Sequence, residues 1–349
     1  MLPVGSIDMT GHLRVLRAGP GETVQDGGRH GFLRYGVSAA GAMDWVAHAT
    51  ANLALGNERG AAAIEISIAG IDLMCELAPV QIAYAGGDFA WIYNGKRLPN
   101  AAVLRLEPGD SLSVKAGSWG AWAYVALHGG VDVPLVLGSR STHAKSQIGG
   151  LDGRALAAGD VLRSAHAAGA AAHDGVQALI AAPWLDPSME SLRVILGPQD
   201  DYFEASSIQA LFEESFSLAP RFDRMAYWLN GPTLKHSLGF NIVSDGIALG
   251  AIQVVGSGQL IVLMADRQST GGYPKIANVI RSDIGRVAQK RPGEQMCFRR
   301  CDPVEAREIL LKLESNLDAF ADVLRPAGSF ESGFLLACNL ISGATSGVQ

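Results

Sequence analysis

Cysteine is scarce in this chain. Four residues (Cys75, Cys297, Cys301 and Cys338) among 349 are too few for a disulfide framework, so packed cores must supply the stability. Charge is sparse as well: charged residues make up 18%, and 34 acidic against 28 basic side chains leave a net charge of -6. A protein held on phosphates shows the opposite excess, and the densest basic run, Arg286 to Arg291, holds three cations. Nucleic acid is therefore excluded as a partner. No apolar run approaches the roughly 20 residues that cross a bilayer. Residues 1–12 do not show the charged-then-apolar order of a secretory leader. The expectation is a cytoplasmic protein without membrane contact.

Several chemical motifs are missing too. There is no phosphate-cradling Gly-x-x-x-x-Gly-Lys-Ser/Thr, no dinucleotide fingerprint and no Gly-x-Ser-x-Gly elbow. No Ala-Met-Lys-Met-like loop is present to carry biotin. Histidines lack ligand spacing, and Cys297 and Cys301, four apart, have no second pair to complete a zinc site. No metal and no covalently bound cofactor are expected; any ATP or biotin must arrive on another polypeptide.

What the chain has is glycine, 42 residues with 15 prolines, beside 48% hydrophobic residues. Many turns separated by short apolar runs predict a mainly β fold with a few helices. Runs at 13–16, 80–85, 122–127, 192–196 and 260–264 read as strands, and 106–114, 156–162 and 291–296 read as hairpin turns. Helical periodicity predicts helices over 44–55 with Asp44 as cap, over 200–212, and from Asp302-Pro303 to about 323. A length of 349 suits two domains. Leu13-Arg-Val-Leu-Arg-Ala-Gly-Pro20 is echoed by Leu192-Arg-Val-Ile-Leu-Gly-Pro198, and Gly138-Ser-Arg-Ser-Thr142 by Asp266-Arg-Gln-Ser-Thr270. Two copies of one β unit are expected: residues 12–163, a linker over 164–191, residues 192–301, then a helix and tail over 302–349.

Four segments are more polar than folding requires. The glycine-rich 23–44 loop ends at Asp44, where a helix N-terminus can hold an oxygen ligand; Asp44 can equally be a plain cap. Arg224, in Asp223-Arg-Met225, offers a guanidinium for a carboxylate or a structural ion pair. Gln253 is an amide inside an apolar run, suited to reading a ligand amide or to a core hydrogen bond. Asp266-Arg-Gln-Ser-Thr-Gly-Gly-Tyr-Pro274 gathers a carboxylate, amide, hydroxyl and phenol beside two glycines whose N–H groups can meet an oxyanion. From these come candidate catalytic residues, Asp266 and Tyr273, and candidate substrate-binding residues: Asp44, Arg224, Met225, Gln253, Gln268, Thr270, Gly271 and Gly272. A pocket joining Arg224, Gln253 and Tyr273 would favour catalysis, and a flat apolar patch would favour protein docking.

Taken in order, Thr23-Val-Gln-Asp-Gly-Gly-Arg-His-Gly31, Gly41-Ala-Met-Asp44, Ala51-Asn-Leu-Ala-Leu-Gly-Asn57, Gly138-Ser-Arg-Ser-Thr142, Gly197-Pro-Gln199, Asp223-Arg-Met225 and the Gln268 to Pro274 loop resemble the biotin-dependent carboxyltransferase domain family. That family includes the C subunit of 5-oxoprolinase, allophanate hydrolase subunit 2 or urea amidolyase-related protein, and the carboxyltransferase domain of urea carboxylase. The resemblance covers about residues 12–300. It implies two cyclophilin-like β-barrel domains. It also implies a small amide or lactam substrate, opened as 5-oxoproline to glutamate beside partners, similar to the A and B subunits of 5-oxoprolinase, that supply ATP. A urea-type transfer from carboxybiotin on a partner is the alternative within the family. A non-catalytic protein antagonising a kinase inhibitor is the alternative outside catalysis. Self-association into a homo-oligomer is left open. Two departures from the family stand out: Ala226-Tyr-Trp228 replaces Gly-Tyr-Arg, and Val255-Gly-Ser-Gly-Gln-Leu260 lacks the usual prolines.

Overall fold

Alternation along Ile71–Glu76 shows how the strands earn their place. Ile71, Leu73 and Cys75 are buried while Asp72, Met74 and Glu76 are half-exposed, which is the period-two pattern of a sheet with one wet face. The computed structural model describes residues 11–167, 175–185, 191–320 and 324–326, and the chain is mainly β, as expected. In the first half the strands divide between two sheets. One has six strands, in the order Val161–Arg163, His12–Ala18, Ile71–Glu76, Ser111–Ala116, Phe89–Tyr93, Lys96–Arg97. The other has seven, in the order Thr23–Gln25, Ala63–Ser67, Trp122–Leu127, Val80–Gly86, Ala102–Leu106, Gly175–Ile180, Leu324–Pro326. The sheets share one apolar core that includes Leu13, Ile64, Leu73, Tyr84, Trp91 and Val125.

The second half closes into a barrel: Ser191–Leu196, Lys275–Val279, Ala251–Val254, Leu260–Leu263, Ala226–Asn230, Phe216–Phe222, Gln295–Arg300. The first and last of these strands run parallel and close the ring. A short ribbon pairs Asp245–Gly246 with Thr270–Gly271.

Trp122–Leu127 is buried on both faces. Ala123, Val125 and Leu127 point into the core between the two sheets. Trp122, Tyr124 and Ala126 join a second core, shared with Leu192, Phe216, Val262 and Phe298 of the barrel. Helix α1 (Trp45–Leu53) fills this junction. Its cap is Asp44, whose Oδ1 accepts from the Val46 and Ala47 N–H groups, as predicted.

Three expectations need correction. The helix over 200–212 is broken: Asp200–Tyr202 is one 3-10 turn, Phe203 is extended and buried, and α2 spans Ala205–Glu213. Pairing of Phe203 with His236 draws the chain out of the helical path. The 106–114 turn is not a hairpin, because Ala102–Leu106 and Ser111–Ala116 belong to different sheets. The turns at 156–162 and 291–296 likewise deliver their strands to distant partners, His12–Ala18 and Ser191–Leu196. The stretch expected to link the halves carries the strand Gly175–Ile180, paired to Ala102–Leu106.

Helix α3 spans Ile284–Ala288, and α4 spans Pro303–Asp318 with the expected Asp302 cap. Residues 321–323 at the expected end of α4, the tail over 327–349 and with it Cys338 lie outside the described residues. Among the described residues no helix is long and apolar enough to cross a membrane, and no cluster of three or more His, Cys, Asp or Glu could hold a metal ion.

Candidate functional site

Arg224 and Asp266 meet because their backbones are in register. The strand Ala226–Asn230 pairs with Leu260–Leu263, and the ladder continues through Met264 N to Met225 O at 2.9 Å and Asp266 N to Arg224 O at 2.8 Å. The Arg224 side chain then grips Asp266 with Nε and Nη2, both at 3.0 Å. Its Nη2 also donates to the Gly41 carbonyl at 2.7 Å, and its Nη1 to Glu65 Oε1. Four of the five guanidinium N–H donors are thus committed within the protein. Burial lowers the Arg224 pKa, but the Asp266 and Glu65 carboxylates outweigh it, and the net shift is upward. Arg224 therefore positions Asp266 and the glycine loop rather than presenting an open fork to a substrate anion. Met225 contributes backbone: its N–H donates to Asp223 Oδ1 at 2.7 Å.

Glu65 is the hub that the sequence reading missed. It is fully buried in the strand Ala63–Ser67. Its Oε2 accepts from Met43 N and from the Tyr124 hydroxyl, both at 2.8 Å. Burial pushes its carboxyl up, against the pull of Arg224, the Met43 N–H and the Tyr124 hydroxyl. The Tyr124 oxygen in turn accepts from Asp44 N at 2.8 Å. One chain of hydrogen bonds thus runs from Asp266 through Arg224, Glu65 and Tyr124 to the start of α1. Gly41 makes the crossing possible: at φ 88° its carbonyl faces Arg224, and a Cβ there would sit 3.1 Å from Gly28 Cα.

The loops at 26–31 and 139–143 are tied to each other nearby. Asp26 accepts from the Ser139 and Ser141 hydroxyls at 2.7 and 2.5 Å. Arg29 is fully buried and donates to the Val136 and Ser141 carbonyls, each at 2.9 Å. His143, also buried, is held toward its neutral form by burial, while the nearby Asp266 charge acts the other way. Asp266 acts on Arg29 as well. Segments from both halves of the chain therefore converge on Asp266.

The rest of the 266–274 loop forms an adjoining group. Gln253 is buried at the centre of Ala251–Val254, and its Nε2 donates to the Tyr273 carbonyl at 3.2 Å. A Cβ on Gly271 would come within 2.9 Å of that amide and 2.7 Å of Ile247. Gly271 pairs with Asp245, and the Gly272 carbonyl accepts from Ile242 N at 2.9 Å, so residues 242–247 brace the loop. Tyr273 is 38% exposed, and Gln268 and Thr270 are exposed.

Asp44 stands apart in its side chain. Its carboxylate caps α1 and accepts from Gln289 Nε2 at 2.9 Å, and burial pushes its pKa up against those hydrogen bonds. It lines a cavity of about 690 Å3 bounded also by Trp119, Trp184, Met296 and α4. The other nominated residues do not line this cavity. Asp266 and Arg224 are joined in one network, and Gln253, Gly271 and Tyr273 meet in the next. The Asp44 carboxylate faces away from both.

Comparison with known proteins identifies relatives of the whole chain. The E. coli (strain K12) protein named as the C subunit of 5-oxoprolinase is 37% identical over 299 residues, which is 84% of this chain and 93% of that protein. Urea amidolyase of Lachancea kluyveri is 30% identical over 86% of this chain but 17% of its own length. The crystal structure of the K. lactis urea amidolyase superposes with a TM-score of 0.82 at 29% identity, covering 92% of this chain and 21% of that one. The family described as carboxyltransferase domain, subdomain A and B, matches residues 35–300, and the chain belongs to that family.

Proposed function

We propose that this chain is one component of a multi-subunit enzyme that binds a small lactam, 5-oxoproline or a close analogue, and opens it to the amino acid with ATP supplied by partner subunits. One observation carries this reading. The chain spans 93% of the protein named as the C subunit of 5-oxoprolinase, whereas it matches only a 17% portion of urea amidolyase. The geometry around Asp266 suits the chemistry. Opening a lactam requires a proton to move and negative charge to gather on the carbonyl oxygen. Asp266, its carboxylate oriented by two hydrogen bonds from Arg224, moves the proton, with the half-exposed Tyr273 phenol as the second candidate for that step. Gln253 and Gln268 read the amide, and the Gly272 N–H meets the oxyanion, a contact worth about 3–4 kcal/mol.

The test is to purify the chain with its native partners and follow ATP-dependent loss of 5-oxoproline and of urea. 5-Oxoproline should be consumed. Asp266→Asn should lower turnover about 100-fold or more while the far-UV spectrum stays unchanged. Arg224→Ala is the wrong probe, because it strands the buried Glu65 carboxylate and frees the half-buried Asp266, at a cost of about 3–5 kcal/mol. Consumption of urea alone would assign the chain to carboxyl transfer. Full activity in both Asp266→Asn and Tyr273→Phe would move the chemistry elsewhere, and no turnover of either substrate would favour a docking role.

A further inference from the structure

The cavity of about 690 Å3 beneath α4 has hydrogen-bond donors that its own walls leave unused. Lys290, just beyond α3, and Lys312, on α4, both line it, and neither side chain has an ion pair or hydrogen bond with a described residue. Ser282 also lines it, and its buried Oγ has no hydrogen-bond partner among the described residues. The acidic groups at the rim are already engaged. Asp44 is taken by the first N–H groups of α1 and by Gln289, and Glu294 Oε2 accepts from Arg291 N at 3.0 Å. The half-buried Lys290 and the exposed Lys312 thus bring two ammonium groups to the cavity with no acceptor among the described residues, and both are open to an anion. The indoles of Trp119 and Trp184, with Leu313, supply an apolar wall for its body.

We propose that this cavity binds a small organic acid with a flat apolar body, its carboxylate held by Lys290 and Lys312 and its body lying against the two tryptophans. Ammonium groups on flexible stems suit an oxygen anion without demanding the fixed two-point geometry of a guanidinium. None of residues 266–274 lines the cavity, so the site does not depend on where the lactam is opened. Lys312 and Leu313 come from α4, which lies beyond residue 300 where the family match ends. This pocket is therefore finished by a part of the chain outside the matched region.

Titration calorimetry of the full chain with 1-naphthoate and with the uncharged 1-naphthamide tests the site. Naphthoate should bind saturably at one per chain, naphthamide at least tenfold more weakly, and Lys290→Ala combined with Lys312→Ala should close that gap. Cys297 lines the same cavity and is only half-buried, so naphthoate should also slow its alkylation, read by peptide mapping, in the parent and not in the double variant. Absence of saturable naphthoate binding, equal affinity for the two probes, or unchanged naphthoate affinity in the double variant would overturn the proposal.

Discussion

Asp44 shows how one side chain serves two neighbours. Its carboxylate ends the run of free N–H groups at the head of α1 and orients Gln289, whose Oε1 accepts from Ala121 and Trp122 N. Burial raises its pKa above that of an unfolded aspartate, although the hydrogen bonds from Gln289 and α1 oppose the rise. For a carboxyl raised in the folded state, the stabilising contribution is full below the ordinary aspartate value and is lost as pH climbs through the folded one. Asp44→Asn keeps an oxygen for the cap and removes the titration. The melting temperature of Asp44→Asn relative to the parent should therefore rise as pH climbs above the ordinary aspartate value, and Asp44→Ala, which loses the cap as well, should lie about 1 kcal/mol below Asp44→Asn at every pH. A pH-independent difference for the Asn variant would refute this account. The cap was legible because Asp precedes a helical period. Glu65 was not read as a partner for Arg224, since the two lie 159 residues apart. The available signal was a carboxylate at the centre of the apolar strand Ala63–Ser67. His143 gave no signal beyond directly following Gly138-Ser-Arg-Ser-Thr142.

At the level of elements, α4 is held by few contacts among the described residues. Asp302 caps it, Pro303 occupies its first position, and Leu317 is its single buried residue. Arg59 anchors its last turn through Asp318 and the Glu314 carbonyl. Leu317 is 0% exposed, so Leu317→Ala should cost about 2–5 kcal/mol at that docking point. Because little else pins the helix, the loss should appear as faster hydrogen exchange confined to 303–318, with Leu260–Leu263 in the barrel still protected. Equal acceleration in both segments would mean that α4 is part of the global core. The Asp-Pro start of α4 could be read directly, because cap chemistry is local. Two local readings failed where distant pairing decides the path. The 106–114 turn looks like a hairpin, yet it hands the chain from one sheet to the other. Phe203 interrupts a helical period because the ring is buried and its backbone bridges His236.

Across the whole molecule, the two halves share too much to come apart separately. The core around Tyr124 and Ala126 continues into the barrel without a break. The Trp122 indole donates to the Tyr227 hydroxyl at 2.9 Å, which donates to the Ala288 carbonyl at 2.8 Å. Arg291 reaches across to the carbonyls of Gly117, Trp119 and Gly120. Chains of this length commonly unfold through intermediates, but an apolar core common to both halves opposes that, since opening either half exposes the other's buried face. Two buried thiols report on the halves independently: Cys75 between the sheets and Cys301 beside the barrel. Pulsed alkylation across a urea series should give the same midpoint at both. Arg291→Ala leaves three carbonyls without their partner, at a cost of about 1–3 kcal/mol, and should lower the two midpoints together. If Cys301 became reactive at lower urea than Cys75 in the parent, the barrel would be an autonomous unit. The hydrogen-bond chain from Asp266 to α1 would then break before the first half unfolds.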